Sequence, residues 1–247
     1  LNITIRFGIV LASNVILIKH QRLRRKSQMT KPHYDVLIAT PGKMLHAEYV
    51  DSLFKTLEWL SSQGKTYKFL NKQSSFVPSA RELTATNTYS HNWDTSEVGS
   101  GEFTYGTIFW IDSDIAWEVS DFQAILESPF DVTSGIYQTH PNGTVALAMD
   151  DGNGKPRKVN KNEFLLWFDH FEVMGVGFGF VAMKQGVFEN IPRPWFGIDK
   201  IRWDGYDFDT NVGEDYSWCN HARSAGYRIM VDPNVKVLHH KEAIYQI

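Results

Sequence analysis

The chain has 247 residues, 43% of them hydrophobic and 21% charged, which suits one sizeable globular domain and excludes a disordered tail or a coiled rod. Six of its 25 Lys and Arg (Arg6, Lys19, Arg22, Arg24, Arg25 and Lys26) and none of its 28 Asp and Glu fall in the first 28 residues, so the remainder sets 19 basic against 28 acidic residues and lacks the basic stripe that nucleic-acid binding requires. One cysteine, Cys219, excludes a disulfide framework and a zinc-thiolate cluster, and it fits a reducing, cytoplasmic setting.

Residues 7–18 (FGIVLASNVILI) form an apolar run followed by the basic KHQRLRRK. The run is shorter than the roughly 20 residues that span a bilayer, and its positive charge follows it, the reverse of a signal peptide. Residues 1–28 are therefore expected to be an appendage to the fold, with a membrane-surface anchor as the alternative use and the one place for membrane contact. The body, residues 29–247, reads as a single α/β domain, with a nucleotide-binding half over 29–130 and a second, mixed half over 131–247. YDVLIA (34–39) predicts a buried strand. Leu45, Tyr49, Leu53, Leu57 and Leu60 then recur at helical spacing until Gly64. YKFLN (67–71) predicts a second strand, SARELTATNTY (79–89) a helix opened by Pro78, residues 91–106 a polar loop, and GTIFWI (106–111) a central strand. Beyond them lie strands at TSGIYQ (133–138) and TVALAM (144–149), a polar insert (151–162) and the FEVMGVGFGFVAMK segment (171–184). The reading ends with a helix near 185–190, an aromatic loop, a helix over 214–225 and a strand at VKVLHH (235–240).

Chemistry concentrates where these elements end. Asp112 and Asp114 follow the apolar run Ile108–Ile111, at the sheet edge where open α/β folds bind ligands, and their hard oxygens suit Mg2+ or Mn2+. A triplet of this kind also suits a turn cap. Glu214 and Asp215 open a helix, which the macrodipole alone favours, yet the pair can also supply a general base, and His239 at a strand end can supply a neutral nitrogen ligand. Gly175, Gly177 and Gly179 alternate without the third glycine and following helix of a dinucleotide fingerprint, so they allow close approach of a ligand or of a neighbouring strand. Trp195 and Trp203, interleaved with aspartates, are the leading candidates for a ring surface that meets the apolar C–H face of a sugar.

Taken in order, Thr40-Pro41-Gly42, Ala80-Arg81, WIDSD, Gly177–Phe180, Pro194-Trp195-Phe196, GEDYSWCNHARSAGYRIMVDP and Val-x-Val-x-His resemble a GT-A fold glycosyltransferase of the family-2-like branch. The resemblance covers residues 34–240 and implies a nucleotide-binding sheet flanked by helices, with a mixed sheet in the C-terminal half. It implies that Thr40 and Pro41 flank the nucleotide base, that Arg81 lies near base or phosphate, and that Asp112 contacts ribose or the metal's water shell. Asp114 and His239 then bind Mn2+ or Mg2+, Asp215 is the catalytic base with Glu214 beside it, and Gly177 lies by the donor sugar. Where relatives have Arg-Asn this chain has Arg81-Glu82. The implied reaction moves a sugar from a nucleotide-diphosphate donor, with UDP as the leading nucleotide and GDP as the alternative, to a hydroxyl of a glycan or other acceptor, with inversion. A retaining enzyme with the same metal site and a non-catalytic nucleotide-sugar or glycan-binding module are the rivals. A phosphatase of the haloacid-dehalogenase type is disfavoured because its Asp-x-Asp opens the domain, and a nucleotidyltransferase because the loop after the first strand is too short to hold a triphosphate.

Overall fold

Period-two alternation along the central strands produces a sheet covered on both faces. The computed structural model describes residues 31–89, 97–164 and 167–241. The chain divides into two units, Leu1–Pro32 and His33–Ile247, and every element below belongs to the second. The expected appendage and residues 91–96 of the polar loop lie outside the described residues.

The strands are β1 (His33–Ala39), β2 (Tyr67–Leu70), β3 (Thr104–Ile111), β4 (Ile115–Ala116), β5 (Val132–Ile136), β6 (Thr144–Asp150) and β7 (Pro156–Asn160). They continue as β8 (Phe171–Val173), β9 (Gly175–Val176), β10 (Phe180–Lys184), β11 (Lys200–Ile201), β12 (Thr210–Asn211), β13 (Ile229–Lys236) and β14 (Leu238–His239). The helices are α1 (Ala47–Ser62), α2 (Val77–Thr86), α3 (Val119–Leu126) and α4 (Glu214–Ser224). The main sheet has the order β2-β1-β3-β10-β5-β13-β8. Within it β1, β2, β3, β5 and β13 run parallel, while β10 and β8 run against them. The protein is therefore a mixed α/β fold.

Val36, Ile38, Phe109, Ile111 and Phe180 pack on one face with Tyr49 and Leu53 of α1 and Phe122 of α3. Leu37, Ala39, Ile108, Trp110 and Val181 pack on the other with Ala85 of α2 and Trp218, Cys219 and Ala222 of α4. Each large aliphatic or phenylalanine side chain buried there stabilises the fold by roughly 1.5–3 kcal/mol. A smaller sheet, β7-β6-β9, and the β11-β12 hairpin stand beside this core, and β14 pairs with β4. No helix among the described residues is long and apolar enough to cross a membrane.

Three local expectations are corrected. The polar insert contains β7, because the side chains of Asp150 and Asp151 accept backbone N–H groups across residues 152–155 and turn the chain back onto β6. Residues 185–190 form turns instead of a helix: the Gly186 N–H goes to the Glu189 carboxylate, and Tyr105 also binds that group. The last strand starts earlier than its apolar pattern suggests, at Ile229, and a register shift after Val231 separates it from the histidine pair.

Candidate active site

The parallel strands deliver their ends to one edge of the sheet. Thr40 follows β1, Asn71 follows β2, Asp112 follows β3, Tyr137 follows β5 and His239 lies just beyond β13. The segment Gly177–Gly179 enters the same edge ahead of β10, and the Asp112 N–H donates to the Gly179 carbonyl at 3.1 Å. Six positions spread over about 200 residues of sequence, from Thr40 to His239, thus meet at the place where open sheets bind ligands.

Arg81 joins two parts of this edge. Its Nε donates to Glu214 Oε1 at 2.9 Å, and its Nη2 donates to Asp112 Oδ1 at 3.0 Å. The side chain is only 5% exposed and lies against the faces of Trp110 and Phe178. Burial alone would loosen its proton, but Asp112, Glu214 and Asp215 more than reverse that, so the guanidinium stays charged. Removing one member of a buried pair of this kind costs about 3–5 kcal/mol. Arg81 therefore fixes Asp112 to the start of α4, and both Asp112 oxygens face its Nη2. Glu82, one residue on, is buried too: it accepts from Arg193 Nη2 and from the Phe196 N–H, each at 3.1 Å. The departure from Arg-Asn thus has a local reason, since Glu82 anchors the loop carrying Trp195.

Asp215 is held differently from its neighbour. Its Oδ1 accepts the Tyr216 N–H at 2.7 Å, and the carboxylate folds back over Gly213, where an added Cβ would stand 2.9 Å from Oδ1. Glycine at the N-cap is what leaves this place open. Burial pushes the Asp215 carboxyl up to about 6, Arg81 opposes the shift and Glu214 adds to it. A carboxylate poised there suits proton abstraction near neutral pH.

Asp114 faces His239, with Oδ2 at 3.1 Å from Nε2. The Gln138 carbonyl, which can only accept, lies 2.9 Å from Nδ1, so Nδ1 carries a proton and Nε2 is the atom offered to Asp114. The Asp114 contact raises the His239 affinity for its second proton. Burial works against ionisation of Asp114, yet His239 holds its carboxyl below the usual range. A divalent cation between these two atoms would take the place of that proton, so the pair fits as two ligands of an ion completed by phosphate oxygens and water. Among the described residues no group of three His, Cys, Asp or Glu converges as a ready metal cluster. Asp112, expected at the metal or its water shell, turns both its oxygens to Arg81 instead.

Register separates the two terminal histidines. His239 pairs with Ile115 in the β14-β4 ladder and directs its ring at Asp114, while His240 donates only its backbone N–H to the Asp114 carbonyl, at 2.8 Å. His239→Ala is accordingly expected to weaken Mn2+ binding by roughly 10-fold or more, and His240→Ala to change it little. Titration of Mn2+ followed by the EPR signal of the free ion checks this, and a larger effect at position 240 would overturn the register.

The remaining expected site residues divide. Thr40 is wholly buried and its hydroxyl bonds that of Tyr49, so the side chain is turned inward and only Pro41 and the loop backbone border the edge. Trp195 is also wholly buried, its indole N–H donating to the Phe188 carbonyl at 2.9 Å, so it offers no face to a sugar. Gly177, Trp203 and Asp215, by contrast, line one cleft of about 1080 Å³. Tyr137 was not foreseen. Its ring fills the space that Gly177 and Gly179 leave, its hydroxyl accepts the Gly179 N–H at 3.0 Å, and it meets the His239 ring edge-on at 5.4 Å. The alternating glycines signalled close neighbours, which are this ring at Gly177 and Gly179 and the Tyr216 ring at Gly175.

No protein-family profile and no curated protein sequence matches the chain. Solved structures do. The chain is similar in backbone to two glycosyltransferases and to a protein from STIV. The STIV protein, A197, matches over 86% of this chain and 97% of its own, with a TM-score of 0.46 and 17% identity. GalNAc-T7, crystallised with UDP, GalNAc and Mn2+, matches over 84% of this chain, with a TM-score of 0.45 and 11% identity, and the match spans 43% of that longer protein. The catalytic domain of Drosophila beta1,4-galactosyltransferase 7, in complex with xylobiose, matches over 85% of this chain and 71% of its own, with a TM-score of 0.46 and 12% identity. These are likenesses of backbone course, and no residue assignment rests on them.

Proposed function

We propose that the protein is a metal-dependent glycosyltransferase of GT-A type that moves a sugar from a nucleoside-diphosphate donor to an acceptor hydroxyl with inversion. The observation that supports this reading is the Arg81 bridge, which ties the Asp-x-Asp loop after β3, beside the Asp114–His239 pair, to the acidic start of α4, where Asp215 stands. A divalent ion bound by Asp114 and His239 would neutralise the diphosphate as it leaves. Asp112, oriented by Arg81, is placed to accept from the ribose hydroxyls of the donor. Asp215 takes the proton of the acceptor hydroxyl while that oxygen forms its bond to the anomeric carbon and the bond to the diphosphate oxygen breaks.

Release of nucleoside diphosphate from a panel of UDP- and GDP-sugars, with Mn2+ and with EDTA, tests the reading. Release from at least one donor that stops with EDTA is the expected result. Release that ignores EDTA, or donor binding without any turnover across acceptors, would favour a binding module instead.

A further inference from the structure

The cleft that holds Asp215 extends well beyond the atoms that transfer requires. Its lining includes Asp215 but neither Asp112 nor Asp114 nor His239, so it extends away from the Asp-x-Asp loop. At about 1080 Å³ it is as large as the roughly 300–1,000 Å³ sites that enclose drug-sized ligands, several times one sugar ring. Residues of the β6-β7 pair and of the β11-β12 hairpin border it, and the hairpin is tied to β7 where the Asp204 N–H donates to the Pro156 carbonyl at 2.9 Å.

The lining chemistry is mixed in a particular way. Trp203 and Tyr216 form a tilted ring pair with centroids 5.0 Å apart, and Tyr206 continues the aromatic surface. Asn142, Thr144 and Asn211 supply uncharged donors and acceptors around it. Arg157 is already paired with Glu163 at 2.9 Å, and the lining carries Lys158 beside the acids Asp204 and Asp215, so neither sign of charge dominates. A nucleic acid would ask for a basic wall and a lipid for an apolar one. Rings alternating with amides and hydroxyls match a neutral, polyhydroxylated ligand with apolar C–H faces. A second observation points the same way: Tyr216 is only 9% exposed, it lines the cleft, and its buried hydroxyl has no hydrogen-bond partner among the described residues. Orphan buried hydroxyls are costly and uncommon in native proteins.

The geometry points to an oligosaccharide acceptor of two or more neutral sugar units, one ring lying on Trp203 and one hydroxyl bonding Tyr216 Oη, with the reactive end at Asp215. This inference rests on the glycosyltransferase reading and specifies its acceptor. Trp203 and Tyr216 are specificity-determining groups in it.

Saturation-transfer NMR with xylo-, cello-, manno- and chito-oligosaccharides of one to four units, in the presence of UDP and Mn2+, tests it. At least one series is expected to bind, with affinity rising several-fold from one unit to two. Trp203→Ala should weaken that binding roughly 10-fold or more, as loss of a buried aromatic anchor does. Tyr216→Phe should weaken it about 3- to 10-fold, the usual scale for one hydrogen bond, without lowering the melting temperature, since the free protein leaves that hydroxyl unpaired. Both variants should bind UDP like the parent. No binding by any series, equal affinity for one unit and two, or variants that bind as the parent does, with UDP binding intact, would overturn the acceptor assignment alone. Oligosaccharide binding by a chain with no affinity for UDP or GDP would leave the cleft assigned and remove the transferase reading.

Discussion

Asp215→Asn is expected to bind donor and metal normally and to transfer sugar at least 100-fold more slowly, the scale on which loss of a general base is felt. Asparagine keeps the side-chain oxygen that accepts the Tyr216 N–H, so the start of α4 survives. It cannot take a proton from the acceptor. In the parent, transfer should rise with pH as the Asp215 carboxyl ionises near 6 and then level off, because the base works only in its ionised form. Stability moves the opposite way. A carboxyl raised from 3.8 to about 6 by folding withdraws stability as pH climbs between those values, so the Asn variant should melt no lower than the parent at neutral pH. If Asp215 merely stabilises the helix start, the Asn variant retains near-normal turnover. Rate measurements at saturating donor from pH 5 to 8, beside melting curves, separate the two roles, and retention of anomeric configuration in the product would contradict the single-displacement chemistry.

Asp114→Ala should abolish Mn2+-dependent nucleotide binding. The proposed metal site has two protein ligands, Asp114 and His239, and the His239 ring is oriented by the Gln138 carbonyl and by Asp114 itself. Removing the carboxylate takes away the one hard anionic ligand and leaves a lone imidazole, which holds Mn2+ poorly. Asp112→Ala should behave differently. Its carboxylate neutralises Arg81, so its loss is expected to reduce stability by about 3 kcal/mol or more while leaving measurable Mn2+ affinity in the folded fraction. EPR titration of Mn2+ together with urea unfolding reads both effects, and equal Mn2+ affinity in the Asp114 variant and the parent would refute the ligand assignment.

The sheet edge was legible in the sequence because apolar runs end abruptly there: the run into Asp112 and the alternation into His239 each put a polar group where a buried strand stops. The helix opened by Glu214 and Asp215 was legible too, and one step along a helix turns a side chain by about 100°, which is why the two acids face different partners. Arg81 was not readable as their link. It lies 133 residues from Glu214, and nothing in a helix start announces that its arginine will be buried between two carboxylates. Trp195 was misplaced for a related reason: an aromatic in a polar-looking loop reads as exposed until the Glu82 anchor draws that loop onto Phe188. Glu214, which the sequence places beside Asp215 in the same acidic pair, is in the structure a partner of Arg81, so Glu214→Gln would weaken the bridge between the Asp-x-Asp loop and the start of α4.

Calorimetric titration of UDP, and of GDP, into the protein with Mn2+ and again with EDTA tests the central claim most directly. Binding of one nucleotide with Mn2+, reduced at least 10-fold by EDTA, is the predicted result. Absence of binding by both nucleotides, or affinity that EDTA leaves unchanged, would contradict it.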